Sequence, residues 1–213
     1  VLVAMNGVPW WFFDGLRGPC ENLHLESVDP GGAIRAAIPT ARVLGCVVHV
    51  SSVAIAPGVI RHVNGRGLIV GEPVGGRSAR LEALAGLLEG AGFEVTRSEC
   101  IQRDIWYKLW GNMTMNPVAA MTGATVDRVL ADPPALAFCS AVMREAAAVG
   151  ARIGCAIEQS PEDRHAITRR LGNTALASPS SLSRQLRVYQ ARDTFWDACA
   201  RGGASTTPRT SPT

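Results

Sequence analysis

Ile105-Trp106-Tyr107-Lys108-Leu109-Trp110-Gly111-Asn112-Met113-Thr114-Met115-Asn116-Pro117 is the stretch from which the rest of this 213-residue chain is read. Lys108, Asn112 and Asn116 recur at every fourth position. On one continuous α-helix such positions drift by only about 40° per step, so three polar side chains would line one face over about 12 Å. Ile105, Leu109, Trp110 and Met113 supply apolar surroundings. Asparagine is a mediocre helix former, and two of them in line with a lysine are an odd choice for a plain core helix. Of the 21 basic residues, 20 are arginine and the remaining one is Lys108. That bias points to a position that uses amine chemistry as well as charge. A solvated lysine with two asparagines capping a helix end would give the same letters, and the pattern alone leaves that reading open.

Upstream of this stretch the sequence alternates between strand and helix signals. Val1 to Met5 is an apolar run that enters Asn6-Gly7, as a buried parallel strand does at its carboxyl end. With nothing before it to pair with, the run reads as the middle of a domain. Pro9-Trp10-Trp11-Phe12-Phe13 is an aromatic cluster suited equally to a pocket wall and to plain core. Residues 43–50, 58–63 and 67–72 have strand character, punctuated at Pro57-Gly58 and Asn64-Gly65. Residues 77–91 predict an amphipathic helix with Leu81, Leu84, Ala85, Leu87 and Leu88 inward, and residues 93–96 a short strand.

After Ser98 the pattern is helical. It predicts helices over about 99–115, broken at Pro117, over 126–130, and from Pro134 to Gly150 or Gly154. The apolar stripe of the last is Leu136, Phe138, Val142, Met143 and Val149. Ser160-Pro161-Glu162-Asp163 starts a further helix that reaches Leu171. The organisation expected is therefore α/β over residues 1–98, all-α over 99–172, and a poorly ordered tail over 173–213. Only Leu186 to Cys199 in that tail has helical character.

Bulk composition narrows the function classes. The net charge of +3 divides unevenly: residues 1–163 hold thirteen basic and sixteen acidic side chains, residues 164–213 eight arginines and two aspartates. The basic tail lacks a nucleic-acid-binding module, so no nucleic-acid partner is expected. Six cysteines without CxxC or Cys/His spacing predict no metal site and suit reduced thiols in a cytoplasmic protein. The most apolar window, 41–60, is broken by Arg42, His49 and Pro57, so no membrane span is expected. His24, His49, His62 and His165 each stand alone in the pattern and read as structural or surface residues. Glu72 reads as a turn carboxylate.

Met5-Asn6-Gly7-Val8, Pro57-Gly58-Val59-Ile60-Arg61-His62, Gly71-Glu72, Ala91-Gly92-Phe93 and above all Trp106-Tyr107-Lys108-Leu109 with Asn112 and Asn116-Pro117 carry a resemblance. Over roughly residues 1–172 the chain resembles the 2-dehydropantoate 2-reductase (ketopantoate reductase) family. The resemblance implies the carboxyl-terminal part of a Rossmann NADP-binding domain, then a helical domain of the 6-phosphogluconate dehydrogenase C-terminal-like type. It implies NADPH-dependent reduction of the 2-keto acid ketopantoate to pantoate, for coenzyme A synthesis, and allows a homodimer. By the same resemblance Lys108 is the catalytic lysine, Asn112 and Asn116 bind substrate, and Asn6 with Ser51 lies beside the cofactor. The chemistry agrees: hydride delivered to a ketone leaves charge on oxygen, which a positioned ammonium stabilises and protonates.

Departures from the family pattern are equally plain. No G-x-G-x-x-G turn occurs in the chain, so the phosphate cradle is missing and an incomplete or inactive version of the enzyme is expected. A strand–turn–helix bearing that turn in frame before Val1 would make it a truncated enzyme; its absence would make it a remnant. The family's glutamate on a later helix has no counterpart in 173–200, where Asp193 and Asp197 remain unassigned, and the shift in composition after Gly172 suggests a foreign ending. Two other readings stand beside this one: another 3-hydroxyacid dehydrogenase-like oxidoreductase, and a non-catalytic remnant acting as an interaction protein.

Overall fold

The computed structural model describes residues 1–170; the expectations for the tail, including Leu186–Cys199, Asp193 and Asp197, lie outside the described residues. Four strands form one mixed sheet in sequence order: β1 (Leu2–Ala4), β2 (Leu44–Ala56), β3 (Val59–Gly71) and β4 (Glu94–Ser98). β1 lies parallel to β2, with Ala4 opposite Cys46. β2 and β3 form an antiparallel hairpin turned at Pro57-Gly58, and β4 returns parallel to β3.

The stretch 59–71 is one strand, where the sequence suggested two runs divided at Asn64-Gly65. Gly65 has φ +76°, and the β2–β3 register slips beside it, between His49 and Ser51. The Asn-Gly pair is thus absorbed as a bulge inside the ladder, not used as a turn. The outer half of the hairpin stands clear of the helices, with Val53, Ile55, Val59, Ile60 and Val63 exposed.

Helices cover both faces of the sheet. On one, α2 (Ala79–Gly90) buries Leu81 and Ala85 against Leu44, Cys46, Leu68 and Val70. Ser78 caps it by accepting from the Leu81 amide at 3.1 Å. Leu87, expected inward, is 74% exposed. On the other face Trp11, Phe12 and Phe13 pack with Val43, Val47, Ile101, Ile105 and Trp106 into the largest core cluster. The aromatic segment is therefore core. Gly45 permits this close packing: a Cβ there would lie 2.6 Å from the Trp11 ring and 2.8 Å from Ile101. Ile101 opens α3 (Ile101–Asn112), so α3 belongs at once to the sheet and to the helices that follow.

Those helices are α4 (Met115–Thr122), α5 (Val126–Ala131), α6 (Pro133–Arg152) and α7 (Pro161–Arg170). The expected single helix over 99–115 instead ends at Asn112, and a new one begins at Met115. Pro117 explains the position of the break. Within one continuous helix its ring would meet the Met113 carbonyl, four residues back. As the third residue of α4 it occupies a place whose N–H would be unpaired anyway. α6 turns Cys139, Ser140, Met143, Ala146 and Gly150 inward and leaves Phe138 56% exposed, which corrects the expected stripe. Ser160 receives the Asp163 amide at 3.1 Å, the cap anticipated for α7.

Candidate active site

Strands β1 and β2 and helix α3 position Asn6 and Lys108. β1 stops at Ala4, level with Cys46; Asn6 follows two residues later, as Val48 follows Cys46 on β2. α3 runs up the same face of the sheet and carries Lys108 to this level, where its Nζ donates to the Val48 carbonyl. Lys108 is half-buried, and burial pushes its pKa below the ordinary lysine value, partly offset by Cys46. Desolvation disfavours the charged form, so the amine releases its proton more readily than a surface lysine does.

Asn112 lies one turn beyond Lys108 on α3, half-buried, with no side-chain hydrogen-bond partner among the described residues. Asn116 has the same exposure and the same lack of partners, but it sits in the first turn of α4. The straight line of three polar side chains expected from the spacing is thus a pair on one helix and a third on the next. Asn6 is exposed at the end of β1. Ser51 is exposed three residues beyond Val48, opposite Asn64 and past the bulge, so it stands on the hairpin rather than beside Lys108.

One residue passed over in the sequence belongs to this neighbourhood. His49, next to Val48, is held below the ordinary histidine pKa by desolvation and by the charges of Lys108 and Arg164, against an opposing pull from Asp104. Asp104, one turn before Lys108, accepts from the Ser98 hydroxyl, and burial raises its carboxyl pKa. Arg164 reaches in from α7, its guanidinium 5.4 Å from the centre of the Tyr107 ring. The remaining histidines behave as expected from the sequence: His165 is buried against Ser140 at 2.9 Å, His62 bonds the Gly65 carbonyl, and His24 is exposed.

A cavity of about 540 Å³ lies at the other end of α3, lined by Asp14, His24, Arg35, Glu72 and Arg80 among others. Its charges are spent on one another. Arg35 pairs with Asp14, and Arg80 holds the buried Glu72 together with Ser78 and the Val43 carbonyl. The Glu72 carboxyl lies below its usual pKa chiefly because Arg80 donates to it. These are clamps between loop and sheet, and Glu72 is the structural carboxylate the sequence suggested. No cluster of potential metal ligands occurs among the described residues. No helix among them is long and apolar enough to cross a membrane.

Residues 100–189 match the family described as ketopantoate reductase PanE/ApbA C terminal. Over 154 residues the chain is 44% identical to the 2-dehydropantoate 2-reductase of Mesorhizobium japonicum, a match covering 72% of this chain and 47% of that one. This chain belongs to the ketopantoate reductase family. A crystal structure from Ralstonia solanacearum MolK2, provisionally described as a ketopantoate reductase, superposes with a TM-score of 0.86 at 55% identity, covering 92% of this chain and 62% of that one. The 2-dehydropantoate 2-reductase of Geobacter metallireducens GS-15, at 22% identity, shares the fold with a TM-score of 0.69, over 81% of this chain and 59% of its own. The architecture of this ketopantoate reductase family member is a Rossmann-type α/β part followed by a helical domain. It spans about half the length of the curated relatives it matches.

Proposed function

We propose that this chain supplies the substrate-binding and proton-donating half of an NADP-dependent ketopantoate reductase. The observation that carries the reading is the Lys108 ammonium, drawn below its ordinary pKa by burial and held by the Val48 carbonyl of β2, two residues past the end of the β1 pairing. Asn112 and Asn116, whose amides have no protein partner among the described residues, hold the hydroxy-keto acid without adding charge. Lys108 then gives its proton to the alkoxide as it forms and neutralises the charge there.

The residues present suit only part of the cofactor. The exposed Asn6 at the end of β1, and the β2 backbone leading to Ser51, suit the nicotinamide half; no glycine-rich turn suits the phosphates. Bound there, the reduced nicotinamide supplies the hydride. Everything else in the step is assigned to this chain's own residues. We further assign the protein to the cytoplasm and to a homodimer, by analogy with the family.

Ketopantoate-dependent oxidation of NADPH tests the proposal. Pantoate binding is expected of the chain, with weak turnover at most from these residues alone, one NADPH being consumed per pantoate formed. An absence of ketopantoate-dependent oxidation, with pantoate failing to bind, would contradict it.

A further inference from the structure

His49 lies exposed on β2, at a bulge of the β2–β3 hairpin. Along β2, Gly45 lies under Ile101 and Val47 packs in the cluster with Ile101, Ile105 and Trp106. Side chains alternate along a strand, so His49 faces the same helix one step higher, at the level where Lys108 meets the Val48 carbonyl. The β2–β3 register slips immediately after His49. Across the hairpin, a Cβ at Gly65 would run into the His49 carbonyl, and one at Gly67 would come 3.2 Å from the His49 Cβ. Gly65 thus makes room for the bulge beside His49, and Gly67 for the His49 Cβ, while the exposed imidazole stays open to water. Bulges are common beside active sites.

The charges that bear on His49 are Lys108 and Asp104 from α3 and Arg164 from α7; Cys46, on β2 itself, bears on Lys108. Asp104 is in turn fixed by the Ser98 hydroxyl.

We propose that His49 is a positioning residue that returns the proton Lys108 spends in each turnover. The proposal rests on the functional reading above and deepens it. Reduction breaks one N–H bond of the Lys108 ammonium and forms an O–H bond on the product, while the reduced nicotinamide supplies the hydride. Lys108 is left as a neutral amine. An N–H bond of the His49 imidazolium then breaks as a new N–H bond forms on Lys108 Nζ, and His49 takes its replacement proton from water. The timing follows from electrostatics. A charged Lys108 repels the imidazolium; once Lys108 is neutral that repulsion is gone, and Asp104 favours protonation of His49.

Lys108 is the sole lysine of the sequence, so methylation with ¹³C-formaldehyde places a single side-chain label on it, beside one on the terminal amine. Followed against pH in the full chain, its resonance should show an upper inflection of its own and a lower one, below about 6.5, reporting His49. His49→Gln should erase the lower inflection and keep the upper. Asp104→Asn should move the lower inflection to still lower pH. Absence of the lower inflection, or its survival in His49→Gln, overturns the proposal. In turnover, His49→Ala should lose about tenfold in kcat with KM unchanged, less than removal of the acid itself would cost, and added imidazole should restore it. An unchanged kcat, or a loss that imidazole leaves in place, overturns it too. The resonance is read without substrate or cofactor, so coupling without ketopantoate reduction would contradict the functional reading alone.

Discussion

The Lys108 side chain crosses from α3 to the sheet and donates to the carbonyl of Val48, two residues beyond the last rung that β2 shares with β1. Helix α3 and strand β2 are thereby tied at a single point, just past the level at which β1 ends. An ammonium so held is oriented before substrate arrives, which lowers the entropic cost of placing it against a ketone.

Asn112→Ala and Asn116→Ala test the substrate-holding role. On the proposed reading each removes side-chain hydrogen bonds to the substrate, worth about 0.5–1.5 kcal/mol for neutral partners. A rise in KM for ketopantoate of up to roughly tenfold is expected, with an unchanged thermal midpoint. Loss of folding without any change in KM would assign both asparagines to structure instead.

Glu72 predicts an acid-dependent stability. Its carboxyl pKa is lowered in the fold, first by Arg80 donating to it and also by Ser78. The stabilisation is therefore complete above the unfolded glutamate value, about 4.3, and is lost as pH falls through the lower folded value. Arg80→Ala removes the guanidinium from the 5%-exposed Glu72 side chain and leaves it the Ser78 hydroxyl alone. It should cost about 2 kcal/mol, at the lower end for such pairs because Arg80 is half-exposed. Denaturant titrations at pH 7 and pH 4 measure both: the variant should lose less stability on acidification than the wild type.

Gln102 joins three segments at the base of α3. It is 1% exposed, and its Nε2 donates to the carbonyls of Asp14 at 3.2 Å and Pro73 at 2.5 Å. Gln102→Leu keeps the volume and strands two buried acceptors, which should cost about 2–3 kcal/mol. Chemical denaturation would read this directly, and a cost under about 0.5 kcal/mol would mean that water replaces the amide.

Much of this was legible in the residues. Lys108 stood out because a chain rich in arginine has lysine at one position, and α7 announced itself through Ser160-Pro161. Asn116 was recognised but misplaced: four-residue spacing implies one helix only if the backbone is continuous, and Pro117 moves the break upstream by clashing with Met113. His49 was set aside as a lone histidine on a strand. Its partners come from α3 and α7, more than fifty residues away in sequence, so spacing carried no trace of them. The nearest signal was across the hairpin, in Gly65 and Gly67, and it becomes readable only once those glycines are known to face His49.

The turnover number of Lys108→Ala with ketopantoate and NADPH tests the central claim most directly. Loss of a positioned general acid should lower kcat by about 10²–10⁴-fold while pantoate still binds. A kcat within a few-fold of wild type would contradict the assignment of Lys108 as the proton donor.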